Sequence, residues 1–208
     1  MISSPEQAEN GWSGYVSQKI ELTSYFLLVI ISPTMRKEQM QKALEALDRR
    51  LPKKTTILIG GGSAMLLRHG IALSTSDIDA LVLSSELTPA EIDPLVKGVA
   101  RDLGISPHWY NDYFNTFTFS LPNDFRSRLK PVFEGKNLTA LALGKEDLLV
   151  MKCFAGREKD VGHARVLLKK GADEGLVEGH LNSLAGKKVP GADKALRLFH
   201  DLLDERGG

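Results

Sequence analysis

The sequence predicts an α+β protein, a mixed β-sheet with flanking helices followed by a C-terminal helical region. Two observations carry that expectation. Short apolar runs bounded by glycine or charge recur between residues 55 and 143, whereas every periodic signal from Lys145 onward is helical. No internal repeat or low-complexity tract competes with this pattern.

The elements follow in order. Residues 1–34 show no helical period and are read as an extension outside the core. Within them Tyr25–Ile31 is apolar but too short to span a bilayer, and it lacks the basic start and cleavage site of a secretory segment. Met35, which could be the natural start, opens an amphipathic helix marked by Met40, Ala43, Leu44, Leu47 and Leu51. Thr55–Gly60 reads as a buried strand between Lys53-Lys54 and a glycine triplet, Ser63–His69 as a helix and Ile78–Leu83 as the next strand. Thr88-Pro89-Ala90-Glu91 combines an N-cap, a first-turn proline and a capping-box glutamate, so a helix should run to about Leu103. Asn115–Ser120 alternates like a half-buried strand, and Leu138–Leu143 forms another. Helices are expected at 145–155, 158–170, about 174–184 and 192–204. The division expected is thus an extension at 1–34, an α/β core at 35–144 and helices at 145–208.

Composition narrows the function. With 208 residues, 42% hydrophobic and 25% charged, the chain has the make-up of a globular protein. A net charge of +1 gives no global field favouring nucleic acid or membrane. The single cysteine, Cys153, excludes an intramolecular disulfide and a cysteine metal cluster, which fits a reducing, cytoplasmic setting.

Chemistry is concentrated in Gly60-Gly61-Gly62-Ser63 and in Thr75-Ser76-Asp77-Ile78-Asp79. A P-loop would need a Lys-Ser/Thr pair that is missing here. A Rossmann turn would need a small residue where Met65 stands, and an acid at the end of the second strand rather than its start. Two aspartates at i and i+2 on a strand share a face, with roughly 6–7 Å between their Cα atoms. Such a pair repels unless a cation lies between its members, and Mg²⁺ suits it because it takes its other ligands from water and phosphate. The doublet alone equally fits a loop cap and a solvent-facing acid. Gly61 and Gly62, with Ser63 at a helix N-terminus, favour a phosphate beside it.

These stretches resemble the first motif of the DNA polymerase β-type nucleotidyltransferases, and within that superfamily the chain is most similar to AbiEii-like toxins and their minimal relatives. Leu148–Ala155, with Lys152 inside an apolar run, and Arg157-Glu158-Lys159-Asp160 resemble later motifs of the same family. The resemblance implies an Mg²⁺-dependent transfer of a nucleotide from an NTP to an acceptor hydroxyl, with tRNA as a candidate acceptor and an antitoxin as a candidate protein partner. It implies metal binding by Asp77 and Asp79, and contact with the nucleotide by Gly61, Gly62, Ser63, Thr75, Lys152 and Arg157. Asp160 is implied as a supporting acid. For a third carboxylate, Asp112, Asp124 and Glu134 are all candidates, with Asp112 preferred. The chain departs from the family pattern at Leu73, where a basic residue is common, and at His163, where an acid is expected. A catalytically weak relative that binds a nucleotide or a protein is the alternative.

Lys152 carries information of its own. Its neighbours make the helix apolar nearly all round, so the lysine must snorkel, pair or bind a ligand. His163 by itself reads as a surface or packing histidine. The mild basic bias between Arg126 and Lys170 is compatible with RNA and equally with a solvated face.

Overall fold

The computed structural model describes residues 34–72 and 75–207. The expectations for the extension and its apolar run, and for Leu73, therefore fall almost wholly outside the described residues.

Helix α1 (Lys37–Arg50) buries Met40, Ala43, Leu44, Ala46 and Leu47, the stripe expected from the sequence. Its Asp48 accepts hydrogen bonds from the backbone N–H groups of Lys136, Asn137 and Leu138, which ties the helix to a distant turn. Strand β1 (Thr55–Ile59) is followed by α2 (Gly61–His69), β2 (Ile78–Ser85) and α3 (Pro89–Leu103). The capping box of α3 forms as expected: Glu91 N–H donates to the Thr88 hydroxyl, and Thr88 N–H donates to the Glu91 carboxylate at 2.8 Å. Next come β3 (Tyr110–Asn111), β4 (Lys130–Glu134) and β5 (Leu138–Ala142). Four helices close the chain, α4 (Lys145–Ala155), α5 (Glu158–Lys169), α6 (Glu174–Gly186) and α7 (Ala192–Gly207).

The sheet runs β3-β2-β1-β5-β4. Strands β1 and β2 are antiparallel, as are β4 and β5, while β1 pairs parallel with β5 and β2 parallel with β3. The sheet is therefore mixed, as the sequence predicts. Leu58, Ile59, Ile78, Ala80, Leu138 and Ala140 are buried within it, and α4 packs against α5, α6 and α7 beside the sheet. Trp109 is fully buried, and its indole N–H donates to Val96 O at 3.0 Å. That bond joins α3 to the start of β3, where Ile78 N–H donates to Trp109 O.

One element was misread from the pattern. Residues 115–120 are not a strand but most of a 3₁₀ helix, Tyr113–Ser120. The alternation of Thr and Phe imitates a strand, yet the hydroxyls of Thr116, Thr118 and Ser120 each donate to the carbonyl three residues back. Side chains that satisfy nearby backbone carbonyls stabilise a tight turn over an open ladder. Phe114 and Phe117, three apart, consequently share one side of the segment. The edge strands β3 and β4 had no expected counterpart, since β3 has only two residues and β4, Lys130–Glu134, buries none of its side chains fully.

Candidate active site

The end of β1 and the start of β2 lie side by side, and the glycines allow it. Gly60 N–H donates to Asp79 O at 2.9 Å. Gly61 takes a left-handed φ of +53°, and any Cβ built there would overlap the Asp79 carboxylate. A Cβ on Gly60 would stand 2.7 Å from the Phe114 ring. Gly61 is thus demanded twice, by its backbone and by the acid pressed against it. Gly62 N–H lies by that same carboxylate and pulls its pKa down.

Ser63 is engaged within the fold. Its buried hydroxyl donates to Gly60 O at 3.0 Å and accepts from Asp79 N–H at 3.1 Å. The hydroxyl fastens β2 to the first turn of α2 and is closed to solvent. Of this first turn, Gly61 lines the crevice, at the positive end of the helix dipole.

Asp79 lies in β2 and Asp77 immediately before it. One Asp77 oxygen accepts from the Thr75 hydroxyl at 3.1 Å, and the other accepts from the Asn111 amide at 2.8 Å. Burial, with the negative charge of Asp77 adding to it, pushes the Asp79 carboxyl up to about 6. Lys152, Lys159 and the Gly62 N–H pull in the opposite direction but do not win. A carboxylate pair held this close with its repulsion uncompensated fits a hard divalent cation such as Mg²⁺.

Across the crevice, Lys152 is 7% exposed and its ammonium donates to Asp160 at 2.6 Å. Arg157 donates its Nε–H to the other Asp160 oxygen, also at 2.6 Å. Burial of Asp160 would raise its carboxyl, but Arg157 and Lys152 outweigh it and hold it below the usual carboxylate range. Lys152 therefore pairs rather than snorkels, and Asp160 anchors both cations. The Arg157 guanidinium sits over the Tyr113 ring, 5.5 Å from its centroid. Gly61, Asp79, Tyr113, Phe117, Lys152 and Arg157 line one crevice of about 40 Å³. Small-molecule sites usually measure roughly 300–1,000 Å³, so only the edge of a nucleotide fits between these walls as they stand.

His163 is half-buried beside this network, and its Nδ1 has no hydrogen-bond partner among the described residues. Burial, with Lys152 as the next cause, pushes the imidazole down to about 4, so it is neutral at pH 7. It packs, in line with the sequence reading.

None of the three acids expected to join the aspartate pair does so. Asp112 is exposed and lines a separate groove with Tyr110 and Ile92. Asp124 is exposed and paired with Arg128, and exposed Glu134 lies on β4, the opposite edge of the sheet from β3. Among the described residues, no group of three His, Cys, Asp or Glu side chains is placed to hold a metal. The residue beside Asp77 is Asn111, which sequence reasoning passed over. The only hint was the polar pair Asn111-Asp112 after an aromatic run, and strand pairing decides which of the two turns inward. Phe117 was missed because 115–120 reads as a strand, and Tyr113 and Phe114 because the sequence assigns them to no element.

Comparison with known families decides the affiliation. A family model described as a nucleotidyltransferase of unknown function (DUF6036) matches residues 37–167. The chain belongs to this family. The matched span contains the glycine turn, both aspartates, Lys152, Arg157 and Asp160. Searches of curated proteins and of solved structures give no match. Among the described residues no helix is long and apolar enough to cross a membrane.

Proposed function

We propose that this nucleotidyltransferase-family chain transfers a nucleotidyl group from an NTP to an acceptor hydroxyl with Mg²⁺ bound at Asp77 and Asp79. The observation that carries the reading is the make-up of one crevice. Asp79, pressed onto the Gly61 turn and within reach of the charge of Asp77, lines it together with Lys152 and Arg157.

Each residue then has a distinct task. Asp77, steadied by Thr75 and Asn111, and Asp79, steadied by Gly62, would hold the metal. When bound, Mg²⁺ supplies charge neutralisation to the phosphate oxygens and draws the carboxylates together. The N-terminal turn of α2 offers the triphosphate backbone N–H groups rather than the Ser63 hydroxyl. Asp160 keeps Lys152 and Arg157 aimed at the crevice, where their charge balances the phosphates. Tyr113 at the rim, 56% exposed and already stacked by Arg157, provides an aromatic face for the base. The likeness of the motifs to AbiEii-like toxins, together with the basic bias from Arg126 to Lys170, supports tRNA as acceptor and an antitoxin as partner.

The experiment is incubation of the protein with each α-labelled NTP, Mg²⁺ and total RNA, followed by separation of RNA and protein. Label in RNA that is lost with Asp79→Asn supports the reading. A second reading, a relative that binds a nucleotide without transferring it, is favoured by the narrow crevice and by the lack of a third acid beside Asp77 among the described residues. Magnesium-linked NTP binding without labelled product selects it.

A further inference from the structure

Asn111 ends β3, which runs parallel to β2 with Asn111 opposite Asp79. Its amide orientation is fixed by its partners. Tyr113 N–H donates to one end at 3.0 Å, so that end is the oxygen, and the NH₂ faces Asp77 Oδ2 at 2.8 Å. The amide therefore presents a donor to the carboxylate. A carboxylate at 111 would instead set a third negative charge at hydrogen-bond distance from Asp77, against a pair whose repulsion is already uncompensated.

The difference bears on how many cations the site can hold. Two carboxylates balance one divalent ion, whereas a second ion requires further acidic oxygens. Among the described residues none is in place, and the atom nearest Asp77 Oδ2 on the β3 side is an N–H donor that repels a cation. We infer that Asn111 limits the Asp77–Asp79 site to a single divalent cation, its amide holding Asp77 in the position that a second ion would otherwise fix. This rests on the proposed role of Asp77 and Asp79 as metal ligands. It makes the chain a one-ion variant whose capacity is set by the single –NH₂ to –O⁻ difference between asparagine and aspartate.

The test titrates Mn²⁺, read as free ion by electron paramagnetic resonance, into the full-length wild type, Asn111→Asp, Asn111→Ala and Asp79→Asn, without nucleotide. Wild type should bind one Mn²⁺ per chain. Asn111→Asp should bind a second, because the added carboxylate supplies the further acidic oxygens a second ion requires. Its metal-free form should melt below wild type and recover when Mn²⁺ is added. Asn111→Ala removes the donor without adding an acid, so it should keep one ion per chain. One Mn²⁺ per chain in Asn111→Asp, or two in wild type, overturns the inference. If Asp79→Asn binds Mn²⁺ as wild type does, it is the metal reading of the aspartates that fails, independently of Asn111.

Discussion

Replacing Asp79 by asparagine should stabilise the ligand-free protein at alkaline pH, and the structure sets the size of the effect. The carboxyl is raised from 3.8 to about 6, by burial first and by Asp77 second. A proton therefore binds the folded state more tightly than the unfolded one. The stabilisation from protonation is fully present below the unfolded value near 4 and is lost as pH rises through 6. A shift of about two units corresponds to about 3 kcal/mol at pH 8, an upper figure for the strain of keeping this carboxylate charged. Asparagine matches the shape and retains an oxygen for the Gly62 N–H. At 2–4 °C per kcal/mol for a domain of this size, Asp79→Asn should melt up to about 6–12 °C above wild type at pH 8. The gap should close toward pH 4, where the wild-type carboxyl is protonated. Thermal melts at pH steps between 4 and 8, in chelator, measure it. A variant that melts below wild type at pH 8, or a gap independent of pH, would refute the electrostatic account of the pair.

Other perturbations test the remaining parts of the site. Asp160→Ala leaves buried Lys152 without its partner and should cost about 3–5 kcal/mol, read by urea denaturation. Lys152→Ala should weaken NTP binding by calorimetry while leaving Mn²⁺ binding intact, since the ammonium pairs with Asp160 and not with Asp77 or Asp79. Gly61→Ala must accommodate a left-handed alanine and displace the Asp79 carboxylate, so a loss of at least about 1–2 kcal/mol and loss of divalent-ion binding should appear together. Trp109→Phe removes the indole donor to Val96 O and should cost about 1–3 kcal/mol without altering nucleotide affinity.

The parts of the fold legible in the sequence were those with a repeated period or an explicit cap. The Met40–Leu47 stripe and the Thr88–Glu91 box wrote α1 and α3 directly, and Lys152 within its apolar run announced a buried cation. Its partner was less legible, because Asp160 lies eight residues on and only the packing of α4 against α5 brings them together. The Tyr113–Ser120 segment was lost because hydroxyls at every second position look like a pleat until they are seen to bond the backbone. Asn111 was hidden for a related reason. A two-residue strand has no period, and which of two adjacent polar residues meets Asp77 is settled by its register with β2. Ser63 shows the converse, a motif residue whose hydroxyl proves to be a structural bridge.

The central claim is that Asp77 and Asp79 bind a cation which in turn binds the phosphates, and the most direct measurement is thermal stability with NTP and Mg²⁺ added separately and together. A ligand bound only by the folded state at about 100 times its Kd contributes about 2.7 kcal/mol. For this domain that is about 5–10 °C, expected in full in wild type when both components are present, with a smaller gain from Mg²⁺ alone. Asp77→Asn and Asp79→Asn should each lose that gain while remaining folded. Equal gains from NTP and Mg²⁺ in both variants and in wild type would contradict the claim and leave the two aspartates a structural role alone.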